Sequence, residues 1–240
     1  MIKEAPFDYD LLATRIGINI ENKDYKSALK DCDFIISKDA DNYKYYQMRA
    51  QLYLKINDKR NSLNDNKVSL ELISKEYSKN KENITLLFER ASLLALINNM
   101  QDALMDYDRV LANFPINYEA LKQKARILIS QQQWNAAINS YMILSQNYPQ
   151  EEEFFNNQAI AYLNMGNNAK AMEELDKTIQ LNGENCDALF NRSKLKKMMG
   201  NEIGSKDDLS TVIKILTDRK NHGQLSNRDL QWLNSLKQTL

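Results

Sequence analysis

The chain has 240 residues, and its 32 basic side chains are balanced by 32 acidic ones. This balance leaves no overall field that would draw the protein to nucleic acid or to an anionic membrane. Only 6 glycines and 3 prolines interrupt a sequence that is 43% apolar, which excludes a wholly disordered chain and favours helices over a sheet-rich fold.

Residues 1–8 are expected to form a short extension before the first helix. They lack the apolar core of a secretory signal, so the chain as written predicts a cytoplasmic protein. An exported or periplasmic location stays open if an upstream signal peptide has been removed. No later run of about 20 apolar residues predicts a membrane-spanning helix.

Small residues recur along the chain with a period of 34. Two parallel series keep this spacing through four periods: Ala91, Ala125, Ala159 and Ser193, and then Ala103, Ala137, Ala171 and Ser205. Within each period, apolar residues return every three or four positions, which is typical of a helix. Each period therefore predicts two helices, with Gly166 and Gly200 in the turn between them and Pro115 and Pro149 after the second helix.

One period carries an insertion. Ala50 and Ala91 are 41 residues apart, which is seven more than the regular spacing. Seven residues make about two helical turns and hardly rotate the apolar face of a helix. Leu63, Leu70, Ile73 and Tyr77 are expected to continue that face, so the sequence predicts a long helix that runs to about Asn80.

The end of the chain predicts one additional helix. Ser226 precedes Asp229 in a variant of the capping box, in which a residue at the helix start and an acidic residue three positions later bond each other's backbone. Leu230, Leu233, Leu236 and Leu240 then form one apolar stripe. We expect this helix to cover the last repeat, while an amphipathic helix that binds a membrane or a partner stays as the alternative.

At these positions the chain resembles the tetratricopeptide repeat (TPR) family. The residues that carry the resemblance are Ala91, Ala103, Tyr107 and Pro115 in one period and Ala125, Ala137, Tyr141 and Pro149 in the next. The resemblance implies an all-α, right-handed superhelical solenoid of about six helix-turn-helix repeats with a C-terminal capping helix. The implied repeats are 9–42, 43–83, 84–117, 118–151, 152–185 and 186–219, and residues 220–240 would form the turn and the cap.

Catalytic patterns are not found in the sequence. The single histidine, His222, has no cysteine or carboxylate spaced around it as a metal site or catalytic triad requires, and no glycine-rich phosphate loop occurs. We therefore expect no enzyme activity, no cofactor and no metal. Cys32 is expected to be buried and Cys186 partly exposed, without a disulfide, and the carboxylate pairs Glu173–Glu174 and Asp207–Asp208 are expected to be solvated.

In the TPR family, the first helix of each repeat lines a concave groove that receives a peptide or partner helix. The family's register implies groove positions Gln47, Gln51 and Lys55 in the second repeat and Phe88, Ser92 and Ala95 in the third. For the last three repeats it implies a partner-binding groove formed by Lys122, Gln123, Arg126, Asn156, Asn157, Asn164, Asn191, Lys194 and Lys197.

These cations and amides suit an acidic ligand, because amides hydrogen-bond an extended backbone and cations attract carboxylates. The expected function is a non-catalytic protein-interaction scaffold or adaptor that binds an acidic peptide or partner protein. The alternative is a self-associating structural subunit, a homo-oligomer whose repeat surface holds the copies together. Neither nucleic acid nor membrane insertion is expected.

Overall fold

A computed structural model describes residues 9–237, and every regular element within that range is an α-helix. The predicted all-α class is therefore confirmed. The first twelve helices form consecutive pairs, and a thirteenth follows them. Their bounds are α1 Tyr9–Glu21, α2 Tyr25–Lys38, α3 Tyr43–Lys55, α4 Lys59–Lys79, α5 Ile84–Leu96, α6 Met100–Asn113, α7 Tyr118–Ser130, α8 Trp134–Asn147, α9 Glu152–Asn164, α10 Asn168–Leu181, α11 Cys186–Met198, α12 Glu202–Asn221 and α13 Asn227–Lys237.

The turn inside each helix pair has the same backbone conformation. One residue per turn has a left-handed φ of 59° to 80°: Lys23, Asn57, Asn98, Gln132, Gly166 and Gly200. The next N–H bonds back to the first helix, as when Gln133 N donates to the Leu128 carbonyl at 2.8 Å. This is the Schellman ending of a helix, and the predicted turn positions of Gly166 and Gly200 are confirmed.

Asparagine side chains start most of the first helices. Asn42, Asn83, Asn117 and Asn185 cap α3, α5, α7 and α11, and each side chain accepts a hydrogen bond from a backbone N–H of the first turn. Such caps satisfy N–H groups that have no partner inside the helix. The helices of successive pairs therefore begin at matching positions.

The described chain forms two compact units, α1–α6 up to Pro115 and α7–α13 from Ile116. In both units the alanines of the 34-residue series have no solvent exposure, which allows the two helices of a pair to approach closely. These alanines therefore lie in the packed interior of the helix pairs. The core of the first pair surrounds Ile16 and Cys32, and the core of the last pair surrounds Val212 and Leu216.

The inserted residues lengthen α4, which has 21 residues and ends one position before Asn80. This length confirms the prediction, but the expected position of Leu63 on the buried face is wrong, because this side chain is 41% exposed. The first turns of α4 instead bury polar residues, namely Ser62, Asp65 and Asn66. Ile73 and Tyr77 are buried as predicted.

Helix α13 covers the last pair. Leu233 and Leu236 are buried in one cluster with Val212 and Leu216 of α12, so the apolar stripe of α13 packs within the protein. Ser226 Oγ accepts from Asp229 N at 3.1 Å, which confirms Ser226 as the cap, but the Asp229 carboxylate accepts from the Ser226 hydroxyl at 2.7 Å and not from the Ser226 N–H. The expectations for residues 1–8 and Leu240 lie outside the described residues.

Candidate functional site

The nine predicted groove residues lie on three first helices of the second unit. Lys122, Gln123 and Arg126 are on α7, the three asparagines 156, 157 and 164 are on α9, and Asn191, Lys194 and Lys197 are on α11. We call these nine positions the α7–α9–α11 surface. Asn117 starts α7 by accepting from Ala120 N at 2.9 Å, and this cap fixes the register of the α7 side chains.

The N-terminal ends of α7 and α9 are joined by side chains. Lys122 Nζ lies 2.7 Å from Glu153 Oε2, and the Tyr118 hydroxyl donates to Glu151 at 2.6 Å. The hydrogen bond to Glu153 raises the pKa of Lys122 above its ordinary value. The charge of Lys122, predicted to meet a ligand carboxylate, is already balanced by the protein's own Glu153.

The remaining cations of this surface are more open to solvent. Arg126, Lys194 and Lys197 are all exposed. The Lys194 ammonium lies 4.2 Å from the centroid of the Phe190 ring, a cation–π contact that directs the lysine stem along the surface of α11. These three side chains carry exposed positive charge on α7 and α11.

The amides of the α7–α9–α11 surface differ in which hydrogen-bonding groups they can offer to a ligand. Asn164 Nδ2 donates to the Ile160 carbonyl of its own helix at 2.8 Å, so this amide is held on α9. Asn156 Oδ1 is buried and has no hydrogen-bond partner. Gln123, Asn157 and Asn191 are half-buried. The structure therefore leaves amide groups between the cations of α7 and those of α11.

A second set of charged residues, which sequence reasoning missed, holds the helices of a pair together. In four pairs an arginine of the first helix reaches an aspartate of the second, always 16 residues later. The pairs are Arg15–Asp31, Arg49–Asp65, Arg90–Asp106 and Arg192–Asp208, each bonded through two nitrogens at 2.6 to 2.9 Å. The sequence signal was an arginine followed by an aspartate 16 positions later, recurring with the repeat.

The expectation that the two carboxylate pairs are solvated is wrong for one member of each. Asp208 is 4% exposed and Glu174 is 8% exposed. Burial alone would raise the pKa of Asp208, but hydrogen bonds from Arg192 and Lys196 lower it below its ordinary value. Glu174 is bonded by Lys177 at 2.9 Å. Cationic partners compensate the burial of Asp208, whereas Glu174 Oε2 stays buried without a hydrogen-bond partner.

Both cysteines are free and buried. Cys32 is buried as expected, whereas the partial exposure expected for Cys186 is wrong, because this side chain lies in the apolar cluster beneath α13. Burial raises the pKa of the Cys32 thiol to about 12, and it also raises the pKa of Cys186. Neither environment favours a reactive thiolate.

The first unit contains a cavity of about 250 Å³ between α3 and α5. Its walls include the family-implied positions Gln47, Gln51, Phe88 and Ser92, and also Leu54, Leu96 and Glu89. We call it the α3–α5 pocket. Leu54 and Leu96 are 50% and 61% exposed, so the rim of the pocket is apolar and open to solvent.

Neither a membrane helix nor a metal cluster occurs in the part of the chain that the structure describes. Within residues 9–237 no helix is both long and apolar enough to cross a membrane. In the same range no three His, Cys, Asp or Glu side chains converge as metal ligands do. His222 is exposed at the end of α12, and its Nδ1 lies 2.7 Å from the Asp218 carbonyl.

Known proteins resemble the chain in sequence and in fold. No protein-family model matches the chain. The chain is 23% identical over 210 residues to DnaJ homolog subfamily C member 3 of Gallus gallus, and the match covers 80% of this chain but only 40% of that protein.

Two solved structures superpose over most of their length. A tetratricopeptide repeat protein from Parabacteroides merdae has a TM-score of 0.63 at 18% identity, covering 95% of this chain and 93% of that one. YrrB, described as a TPR protein with an unusual peptide-binding site, has a TM-score of 0.58 at 19% identity, covering 76% of this chain and 90% of that one. The chain therefore has the tetratricopeptide repeat fold.

Proposed function

We propose that the protein is a non-catalytic interaction scaffold whose α7–α9–α11 surface binds an acidic peptide or partner segment. The observation that carries this proposal is the exposure of Arg126, Lys194 and Lys197 on a chain whose net charge is zero. A local positive surface on a neutral protein attracts and orients a ligand of opposite charge. The peptide-binding site named for YrrB, which has the same fold, supports a peptide as the ligand.

The ion pair of Lys122 favours the other cations as the centre of recognition. An arriving carboxylate has to compete with Glu153 for Lys122, because the two side chains are only 2.7 Å apart. Arg126 and Lys194 offer exposed charge without that competition from Glu153, and an arginine can hold a carboxylate through two parallel hydrogen bonds. Binding is expected to weaken as salt rises, because exposed charges are screened beyond about 8 Å at physiological ionic strength.

The test uses a labelled decapeptide of Glu and Asp with a free carboxyl terminus, followed by fluorescence anisotropy. Replacing Lys122, Arg126 and Lys194 together by Ala should weaken its binding at least tenfold. The matched control replaces Lys206, Lys214 and Lys220 of α12 by Ala. These lysines are exposed, and their replacement removes the same amount of charge. Equal binding by the groove variant and the wild type, with both folded by circular dichroism, would contradict the assignment.

Self-association is the second candidate function, and one observation favours it. Met198, Met199 and Ile203, around the turn between α11 and α12, are 72%, 66% and 78% exposed. An exposed cluster of large apolar side chains is a feature of interaction surfaces. Light scattering should then show a mass that rises with concentration and returns to the monomer value after Met198→Ser and Ile203→Ser. A monomer at all concentrations would reject this alternative.

A further inference from the structure

We propose that the α3–α5 pocket is a second recognition site, which binds an extended peptide segment carrying one large apolar side chain and one Lys or Arg. This inference rests on the proposed scaffold function, because it also takes a peptide as the ligand. It assigns the first unit a charge preference opposite to that of the α7–α9–α11 surface. Three features of the pocket carry it.

The first feature is the apolar rim. Leu54 on α3 and Leu96 on α5 are 50% and 61% exposed, and both border the same cavity as Phe88. Covering such side chains with an apolar group removes their surface from water, which favours binding. A cavity of about 250 Å³ is smaller than the roughly 300–1,000 Å³ of most small-molecule sites. The pocket therefore fits an anchoring side chain better than a complete cofactor.

The second feature is a carboxylate whose bonding is incomplete. Glu89 lines the pocket, and its Oε2 is buried without a hydrogen-bond partner. Burial raises the pKa of Tyr43, and the neighbouring Glu89 carboxylate raises it further. Leaving a buried acceptor unpaired is unfavourable. After a small rotation of the carboxylate, an ammonium or guanidinium in the pocket would reach this oxygen and supply the missing donor.

The third feature is the pair of amides on α3. Gln47 and Gln51 are four residues apart, so they share one face of the helix, and both line the pocket. A glutamine side chain offers both a donor and an acceptor, which an extended backbone can use in either direction. The apolar rim, the two amides and the carboxylate thus lie side by side, as a short peptide with an apolar and a basic residue requires.

The experiment is a selection of random dodecapeptides displayed on phage against the full-length protein, with an excess of the acidic decapeptide to occupy the α7–α9–α11 surface. We expect the enriched peptides to share a Lys or Arg near a Leu, Ile, Met or Phe. One enriched peptide is then synthesised with a fluorophore, together with a version in which the basic residue is Gln. Glu89→Gln should weaken binding of the basic peptide at least tenfold and leave binding of the Gln version unchanged, because the variant keeps the size and polarity of the side chain but loses its charge.

Two further variants complete the test. Leu96→Ser should weaken the binding of both peptides, since it alters the apolar rim. Glu71 is an exposed carboxylate on α4, and Glu71→Gln should change the binding of neither peptide. Enriched peptides without a basic residue, no enrichment at all, or equal binding by Glu89→Gln and the wild type would overturn the inference. The triple variant of Lys122, Arg126 and Lys194 should bind the selected peptide normally, so that failure of this site and failure of the α7–α9–α11 surface are distinguished.

Discussion

At the scale of single residues, the turn inside each helix pair contains one residue with a left-handed backbone. Only two of the six turns have glycine at this position. An added Cβ at Gly166 would meet no atom within 4 Å, so Gly166→Ala introduces backbone strain alone, and we expect a loss of about 1 kcal/mol in unfolding free energy. Gln132 is the reverse case, because it is a non-glycine residue with a left-handed φ of 59°. Gln132→Gly should therefore raise the unfolding free energy by about 0.5 kcal/mol.

The control for both turn variants is Gly17→Ala. Gly17 lies inside α1, where an added Cβ also meets nothing within 4 Å, and alanine there should stabilise the helix. Urea unfolding followed by circular dichroism measures all three variants. The same Gly→Ala change should therefore have opposite signs at positions 17 and 166, and equal signs would contradict the role of the turn.

The repeated Arg–Asp pairs make a second prediction for single residues. Asp106 is 2% exposed, and Arg90, which bonds both of its oxygens, also lies 4.6 Å from the Tyr77 ring centroid. Arg90→Ala leaves a buried carboxylate poorly compensated and should cost about 3 kcal/mol of stability. Arg109 is 3.6 Å from Asp106 with 55% of its side chain exposed, so Arg109→Ala should cost under about 1 kcal/mol in the same urea titration.

Acid should weaken the corresponding pair in the last repeat. The folded protein lowers the pKa of Asp208 below its ordinary 3.8 through Arg192 and Lys196, which outweigh burial. As the pH falls below that ordinary value, the unfolded chain binds the proton first, so the stabilisation is complete above about pH 4 and decreases below it. Asp208→Asn cannot titrate. The stability difference between wild type and variant, measured by urea unfolding, should therefore shrink from pH 6 to pH 3, and a constant difference would contradict the linkage.

At the scale of helices, packing between the two members of a pair depends on small residues. Ala137 of α8 has no exposed surface, and a larger side chain would have to displace its neighbours. We expect Ala137→Leu to cost about 1–3 kcal/mol and to lower the melting temperature. Ala112→Leu on α6 is the control, because Ala112 is exposed. A melting temperature that is unchanged or raised for Ala137→Leu would count against the register of this pair.

The helices were predictable because their signals are local and repeated. Gly166 and Gly200 mark turns, Ser226 and Asp229 mark a helix start, and the small residues mark the contacts. The exposed position of Leu63 was not predictable from apolar spacing, because the first turns of α4 bury Ser62 and Asp65 instead. An aspartate on a helix is usually solvated, and only its arginine 16 residues earlier could have indicated that it is buried.

The candidate site was less predictable than the helices that carry it. The register places Lys122 and Arg126 on one helix, but it cannot show that Glu153 of the next pair neutralises Lys122. The unpartnered oxygen of Glu89 is likewise a property of side chains packed across two helices. Cys186 starts a helix and was expected to be partly exposed, yet α13, more than 40 residues later, packs in the cluster that buries it.

At the scale of the whole molecule, each thiol reports on one of the two compact units. Cys32 packs with Leu12 of α1 in the first pair, and Cys186 packs with Leu236 of α13 in the last cluster. In repeat proteins each unit is stabilised mainly by its neighbours, so a weakened end helix should open its own end. Alkylation of the native protein by iodoacetamide, with each cysteine identified by mass spectrometry, measures this opening.

We expect slow alkylation of both thiols in the wild type, since both are buried and burial raises both pKa values. Leu12→Ala and Leu236→Ala each remove a buried side chain, which typically costs about 2–5 kcal/mol. Leu12→Ala should therefore accelerate alkylation of Cys32 at least tenfold with little effect on Cys186, and Leu236→Ala should do the reverse. Each substituted residue belongs to only one of the two clusters that contain a cysteine. If either variant accelerated the alkylation of both thiols equally, the helices would open cooperatively, and local opening around one cysteine would be rejected.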